Sequence, residues 1–129
     1  MSHFTKLKTK IQCLVTVKRV IEAMGYTINE NATHVRGYQG DLTEAAMVID
    51  TKSTYDIGLV QTATGYELIG DWGMLEVRAG VEQDAFVSEL NKKYAYYRVM
   101  DEVKKQGYDI VEESENAEQV VTVKVRRWR

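Results

Sequence analysis

Val20-Ile21-Glu22-Ala23-Met24-Gly25-Tyr26-Thr27-Ile28-Asn29-Glu30 returns 82 positions later as Glu102-Val103-Lys104-Lys105-Gln106-Gly107-Tyr108-Asp109-Ile110-Val111-Glu112. Each copy reads as the last turn of a helix, a glycine that ends it cheaply, and the opening of a strand. Two such units imply two helix-to-strand passages packed on one sheet. No residue of the phrase is a plausible catalyst, so it speaks to architecture alone.

Upstream of Gly25, Leu14, Val17, Val20/Ile21 and Met24 recur at three- and four-residue steps, which predicts a helix within Ile11 to Met24 carrying one apolar stripe. Upstream of Gly107, Phe86, Leu90, Tyr94/Tyr97, Met100 and Val103 do the same. They predict a long helix over Glu82 to Gln106, or two helices joined near Lys92-Lys93-Tyr94. His3 to Lys10 alternates in the manner of a first strand. Asn29 to Leu42 is rich in Asn, Gly, Thr and Asp and reads as a loop broken by an extended piece around Val35 to Tyr38.

Glu44 to Asp50, Tyr55 to Gln61 and Gly65 to Asp71 are three runs of strand length with short connections, which force an antiparallel meander. Period two puts Ala45, Met47 and Ile49, Tyr55, Ile57 and Leu59, and Tyr66 and Leu68 on one face, toward the helices. After Gly107, Tyr108 to Glu113 and Gln119 to Trp128 form a last pair of strands around a turn near Ser114 to Ala117. In the final strand Val121, Val123 and Val125 take the core side; Thr122, Lys124, Arg126 and Trp128 take the other. The fold class expected is α+β, a mostly antiparallel sheet with two main helices on one face, ferredoxin-like-related with a three-strand meander.

The 129 residues suit one domain, 1–129, and 44% hydrophobic with 28% charged residues is ordinary for a globular protein. The absence of proline argues against rigid linkers. Cys13 has no partner cysteine, which points to a reducing compartment. No apolar run is long enough to span a bilayer or resembles a signal peptide, so the expected setting is cytoplasmic with no membrane contact. A net charge of −2 argues against broad attraction to nucleic acid. The charges are segregated, with four acids over Glu112 to Glu118 and four bases over Lys124 to Arg129.

His3 and His34 lie far apart without other ligands at metal spacing, so neither metal nor cofactor is expected. Gly37-Tyr38-Gln39-Gly40 lacks the Lys-Ser/Thr and helix of a phosphate loop. The four serines, at 2, 53, 88 and 114, lie in no nucleophile elbow. Asp56 and Asp71 fall on similar faces of adjacent strands, where they read as solvated acids or, if brought together, as an acid-base pair. Lys124, Arg126 and Trp128 join cations to an aromatic on one strand face, suited to phosphates and a stacked base or to an acidic protein. The alternative there is a charged edge that resists aggregation. Arg36-Gly37-Tyr38 is the other polar cluster with an aromatic, set in a loop. On a helix, Tyr94 and Tyr97 point one way and Tyr96 another, so that group reads mostly as packing.

Met1-Ser2-His3-Phe4-Thr5, Gly25-Tyr26, Val35-Arg36-Gly37-Tyr38, Tyr55-Asp56-Ile57-Gly58, Asp71-Trp72, Lys93-Tyr94-Ala95-Tyr96 and Arg126-Arg127-Trp128, in this order, resemble domain-of-unknown-function family 1257. Its plastid member is hypothetical chloroplast open reading frame 35, and it has cyanobacterial and phage members. The resemblance covers nearly the whole chain and implies a cytosolic or stromal protein. It supplies no activity. Relatives often place a second aromatic after Asp-Trp, where this chain has Gly73-Met74. The residues point to a non-catalytic binding or accessory protein that recognises a protein partner or small anionic ligand through Arg36, Tyr38, Lys124, Arg126 and Trp128. A nucleic-acid or nucleotide binder using the same face is the alternative, and an enzyme built on Asp56, Asp71 or the histidines is the third.

Overall fold

The computed structural model describes residues 4–115 and 121–127. The α+β class and the meander are as the sequence predicts. Strand β1 (Thr5–Lys8) leads to helix α1 (Leu14–Ala23) and a two-residue strand β2 (Thr27–Ile28). A hairpin of β3 (His34–Arg36) and β4 (Leu42–Glu44) comes next, then β5 (Met47–Asp50), β6 (Ile57–Thr62) and β7 (Gly65–Gly70). Helices α2 (Trp72–Ala79) and α3 (Gln83–Lys105) precede β8 (Tyr108–Glu115) and β9 (Val121–Arg127). The main sheet has five strands in the order β1-β7-β6-β5-β2, with every neighbouring pair antiparallel.

The alternation along the meander decides what covers each face. Leu7, Leu68, Leu59 and Met47 lie in one row across the sheet by register. With Ile49 and Ile57 they join Val17, Val20 and Ile21 of α1, Trp72 and Leu75 of α2, and Phe86, Leu90 and Tyr94 of α3 in one apolar cluster. The opposite face carries Val48 and Ile69, which pack with Val35, Phe4, Ala32, Ala45 and Val60 under the β3–β4 hairpin. Gly58 makes this second layer close: a Cβ there would run into Val35 Cγ2.

The structure departs from the sequence reading at three places, and α3 takes the first of its two expected forms. The run Glu44 to Asp50 is two strands, because Ala45 N donates to Thr33 O at 3.0 Å while Ala46 N donates to Leu59 O at 2.8 Å. The chain changes sheets between those alanines, and Ala45 therefore packs on the hairpin side, away from the helices. The stretch read as a loop over Asn29 to Leu42 holds β3, a 3-10 turn at Tyr38–Gly40 and the start of β4. Helix α2 is a third helix, capped by Asp71, whose Oδ1 accepts from Met74 N at 3.3 Å, and ended by Gly80 at φ 68. Helix α3 is continuous over 23 residues.

Gly25 and Gly107 do share a conformation, at φ 92 and φ 80. Their strands do not share a sheet. Strand β2 pairs with β5 in the main sheet, whereas β8 pairs with β9 alone. Val125 of β9, expected in the core, is 41% exposed.

Candidate functional site

Arg36 ends β3, and its guanidinium is held by Asp56, which immediately precedes β6. Nε donates to Asp56 Oδ2 at 2.8 Å, the second terminal nitrogen donates to Oδ1 at 2.9 Å, and Arg36 N donates to Oδ2 at 2.9 Å. The same terminal nitrogen also donates to Ser53 O at 2.9 Å, and Asp56 N returns a bond to Arg36 O at 3.2 Å. Asp56 is 2% exposed, so its charge is desolvated and needs this fork to remain buried. The carboxylate in turn holds the Arg36 guanidinium above its ordinary pKa, mainly through the hydrogen bonds. The arrangement joins the hairpin layer to the sheet. Arg36 is thus a clamp whose bidentate geometry is already filled, although its side chain remains 46% exposed.

Tyr38 is half-buried and packs against the main apolar cluster. His34 lies exposed on β3, with Nδ1 2.9 Å from Thr33 Oγ1. Asp56 and Asp71 are not solvated acids: both are 2% exposed, the first in the clamp and the second as the α2 cap, with its Oδ2 unpartnered. Among the described residues no three His, Cys, Asp or Glu side chains converge as metal ligands. Tyr94 is a packing residue, as expected. It is buried, and its hydroxyl accepts from both Gln12 N and Cys13 N at 3.0 Å.

The basic stripe falls in the β8–β9 hairpin. Lys124 and Arg126 are exposed, as are Thr122 and Val125 between and beside them. Their register partners are acidic: Glu112 stands opposite Lys124 and Asp109 opposite Arg126, across a bulge between Ile110 and Glu112. The two blocks of like charge noted in the sequence thus begin on the two strands of one hairpin. Both cations have interactions of their own. Trp128 lies outside the described residues, as does His3. The five residues expected to form one site therefore divide: Arg36 and Tyr38 belong to the hairpin layer over the main sheet, while Lys124 and Arg126 belong to β9.

Several short motifs that are remote in sequence meet at the clamp. Val35 fills the space over Gly58, the Phe4 ring lies on Gly37, and Arg36 holds Asp56. Beside them Trp72 Nε1 donates to Thr5 O at 3.3 Å. The model of the family described as "Protein of unknown function (DUF1257)" matches residues 20–124. The chain belongs to this family. Among DUF1257 relatives, the uncharacterized protein ycf35 of Guillardia theta is 30% identical over 131 residues, covering 100% of this chain and 99% of its own. The uncharacterized protein ycf35 of Pyropia yezoensis is 29% identical over 128 residues, covering 99% and 98%, and that of Cyanophora paradoxa is 28% identical over 129. These are plastid proteins by name. No solved structure matches the DUF1257 chain. Among the described residues, no helix is long and apolar enough to cross a membrane.

The sequence reading named Arg36 and Asp56 separately and missed their pairing. They are 20 positions apart and meet only because β3 crosses the open face of β6.

Proposed function

We propose that this DUF1257 protein is a non-catalytic binding or accessory protein whose β8–β9 hairpin engages an acidic protein partner or a small anionic ligand. The observation that carries this reading is the exposure of Lys124, Val125 and Arg126 on a strand outside the five-stranded sheet. A two-stranded hairpin gains little stability by itself in water, and this one presents cations on one face and an apolar side chain on the other. In this reading Arg36 and Tyr38 have the structural task of fixing the β3–β4 layer. The setting proposed is the cytoplasm or the plastid stroma, supported by the plastid naming of the relatives.

A nucleic-acid ligand fits less well, because the register partners of Lys124 and Arg126 are the acidic residues Glu112 and Asp109, which offset the positive charge of the hairpin that phosphate binding needs. Catalysis by Asp56 fits less well still, since its two oxygens already accept three donors. The test is the Lys124→Glu/Arg126→Glu variant, tagged and recovered from the native host beside the unaltered protein. Partners and small molecules identified by mass spectrometry with the unaltered protein should be lost with the variant while the melting temperature holds. Identical recovery by both removes the hairpin as the binding element. A parallel titration against labelled single-stranded RNA and DNA at two salt concentrations reads the nucleic-acid alternative.

A further inference from the structure

Two recesses open on either side of Glu82, where α2 gives way to α3. The first, about 230 Å³, is lined by Met24, Tyr26, Val81, Phe86 and Glu89 among others. The second, about 340 Å³, is lined by Trp72, Glu76 and Asp84 among others, and Glu82 borders both. One row of rings runs beneath them: Tyr26 meets Phe86 edge-on at 5.5 Å between centroids, and Trp72 lies 6.1 Å from Phe86. This aromatic row is the floor; the charged residues of the lining are all acidic.

Glu76, Glu82, Asp84 and Glu89 are exposed, and no lysine or arginine lines either recess. The ion pairs Lys18–Glu30, Arg19–Asp101 and Arg36–Asp56 take no carboxylate from here. Helix capping explains part of this charge. Glu82 accepts from Asp84 N at 3.2 Å and Ala85 N at 2.7 Å, and Asp84 sits in the first turn of α3. Glu76 lies late in α2 and Glu89 lies in the second turn of α3, where the helix dipole does not account for them. Glu89 is close enough to act on Tyr26, whose hydroxyl is pushed above its ordinary pKa by burial first and by that carboxylate second. It therefore stays protonated at neutral pH.

We propose that the two recesses together bind an organic polycation: two alkylammonium groups on one aliphatic stem that passes Glu82. One ammonium would lie by Glu89 over Tyr26, and the other by Glu76 and Asp84 over Trp72. Carboxylates and ring faces both attract such a head group, and Met24 and Val81 offer apolar surface to its stem. A compact divalent metal fits worse, since no three ligating side chains converge among the described residues. The alkylammonium can come from a free polyamine or from the lysines of a basic segment.

Isothermal titration of the full-length protein at low salt separates these sources, with spermidine, butylamine, a short oligolysine peptide and magnesium chloride as probes. Spermidine should bind, butylamine should bind about tenfold more weakly, and Glu76→Gln/Glu89→Gln should weaken spermidine about tenfold without changing the melting temperature. Tyr26→Phe, which keeps the ring, should bind spermidine as well as the unaltered protein. Binding of oligolysine but not spermidine, with the same loss in the double variant, supports the site with a basic segment as its ligand. No binding of either, binding that the double variant leaves intact, or magnesium binding equal to spermidine's overturns the proposal.

Discussion

After Gly25 the chain enters the main sheet within two residues, at β2; after Gly107 the same kind of helix end releases it into a hairpin paired only with itself. The local phrase is common to both, and so is the left-handed glycine. The two passages differ in how deeply their strands are buried. Ile28 is 9% exposed and packs with the helices, whereas Val125 on the second passage is 41% exposed. The comparison teaches that a helix stop sets where a strand can begin, while the sheet it joins is chosen by the apolar surface it can cover.

The strongest way to break this contrast is to delete side chains on each side of it. Leu59→Ala, at a position with no exposure, should cost about 2–5 kcal/mol in urea denaturation, a large part of the stability of a domain this size. Val125→Ala should stay within about 0.5 kcal/mol. A comparable loss from both would mean that the hairpin is as well covered as the sheet.

Next in size is the clamp. Arg36→Ala strands a buried carboxylate and should cost about 3 kcal/mol, whereas Asp56→Asn leaves a half-exposed guanidinium that water can serve and should cost about 2 kcal/mol. Thermal or chemical denaturation of the two variants side by side reads the difference; equal costs would show that the burial of Asp56 is not what makes the pair matter.

Smaller, and sharper in what they distinguish, are Gly25→Ala and Gly107→Ala. Each forces a side chain into the left-handed region at about 1 kcal/mol. The first should lower the global melting temperature. The second should raise amide hydrogen exchange within β8 and β9 and leave the five-stranded sheet's protection unchanged. Smallest of all, Lys124→Glu/Arg126→Glu should leave global stability within about 0.5 kcal/mol, because exposed charges contribute little to it.

Helices α1 and α3 and the meander are readable from sequence because their apolar residues repeat over several turns or strands. Helix α2 is not, since only Trp72 and Leu75 of its eight residues are buried and no stripe develops. Asp71 before it and Gly80 after it were the available signals. The β3–β4 hairpin hides for a similar reason: of its strand residues only Val35 is fully buried, and polar neighbours surround it. For the site, residue types were legible and pairings were not. Arg36 and the basic stripe stand out locally, but the clamp on Asp56 and the aromatic row of Tyr26, Phe86 and Trp72 arise only when distant elements are packed together.

The Tyr94 hydroxyl sets an order on events in time. Helix α1 has no side-chain cap at Cys13, and the amides at its entry are served by a phenol 81 and 82 positions downstream. Those bonds close only after the meander and the first half of α3 have been synthesised and collapsed, and long loops of this kind slow folding. The start of α1 is therefore a late event on the folding path: removing the phenol with Tyr94→Phe should speed unfolding far more than it slows refolding.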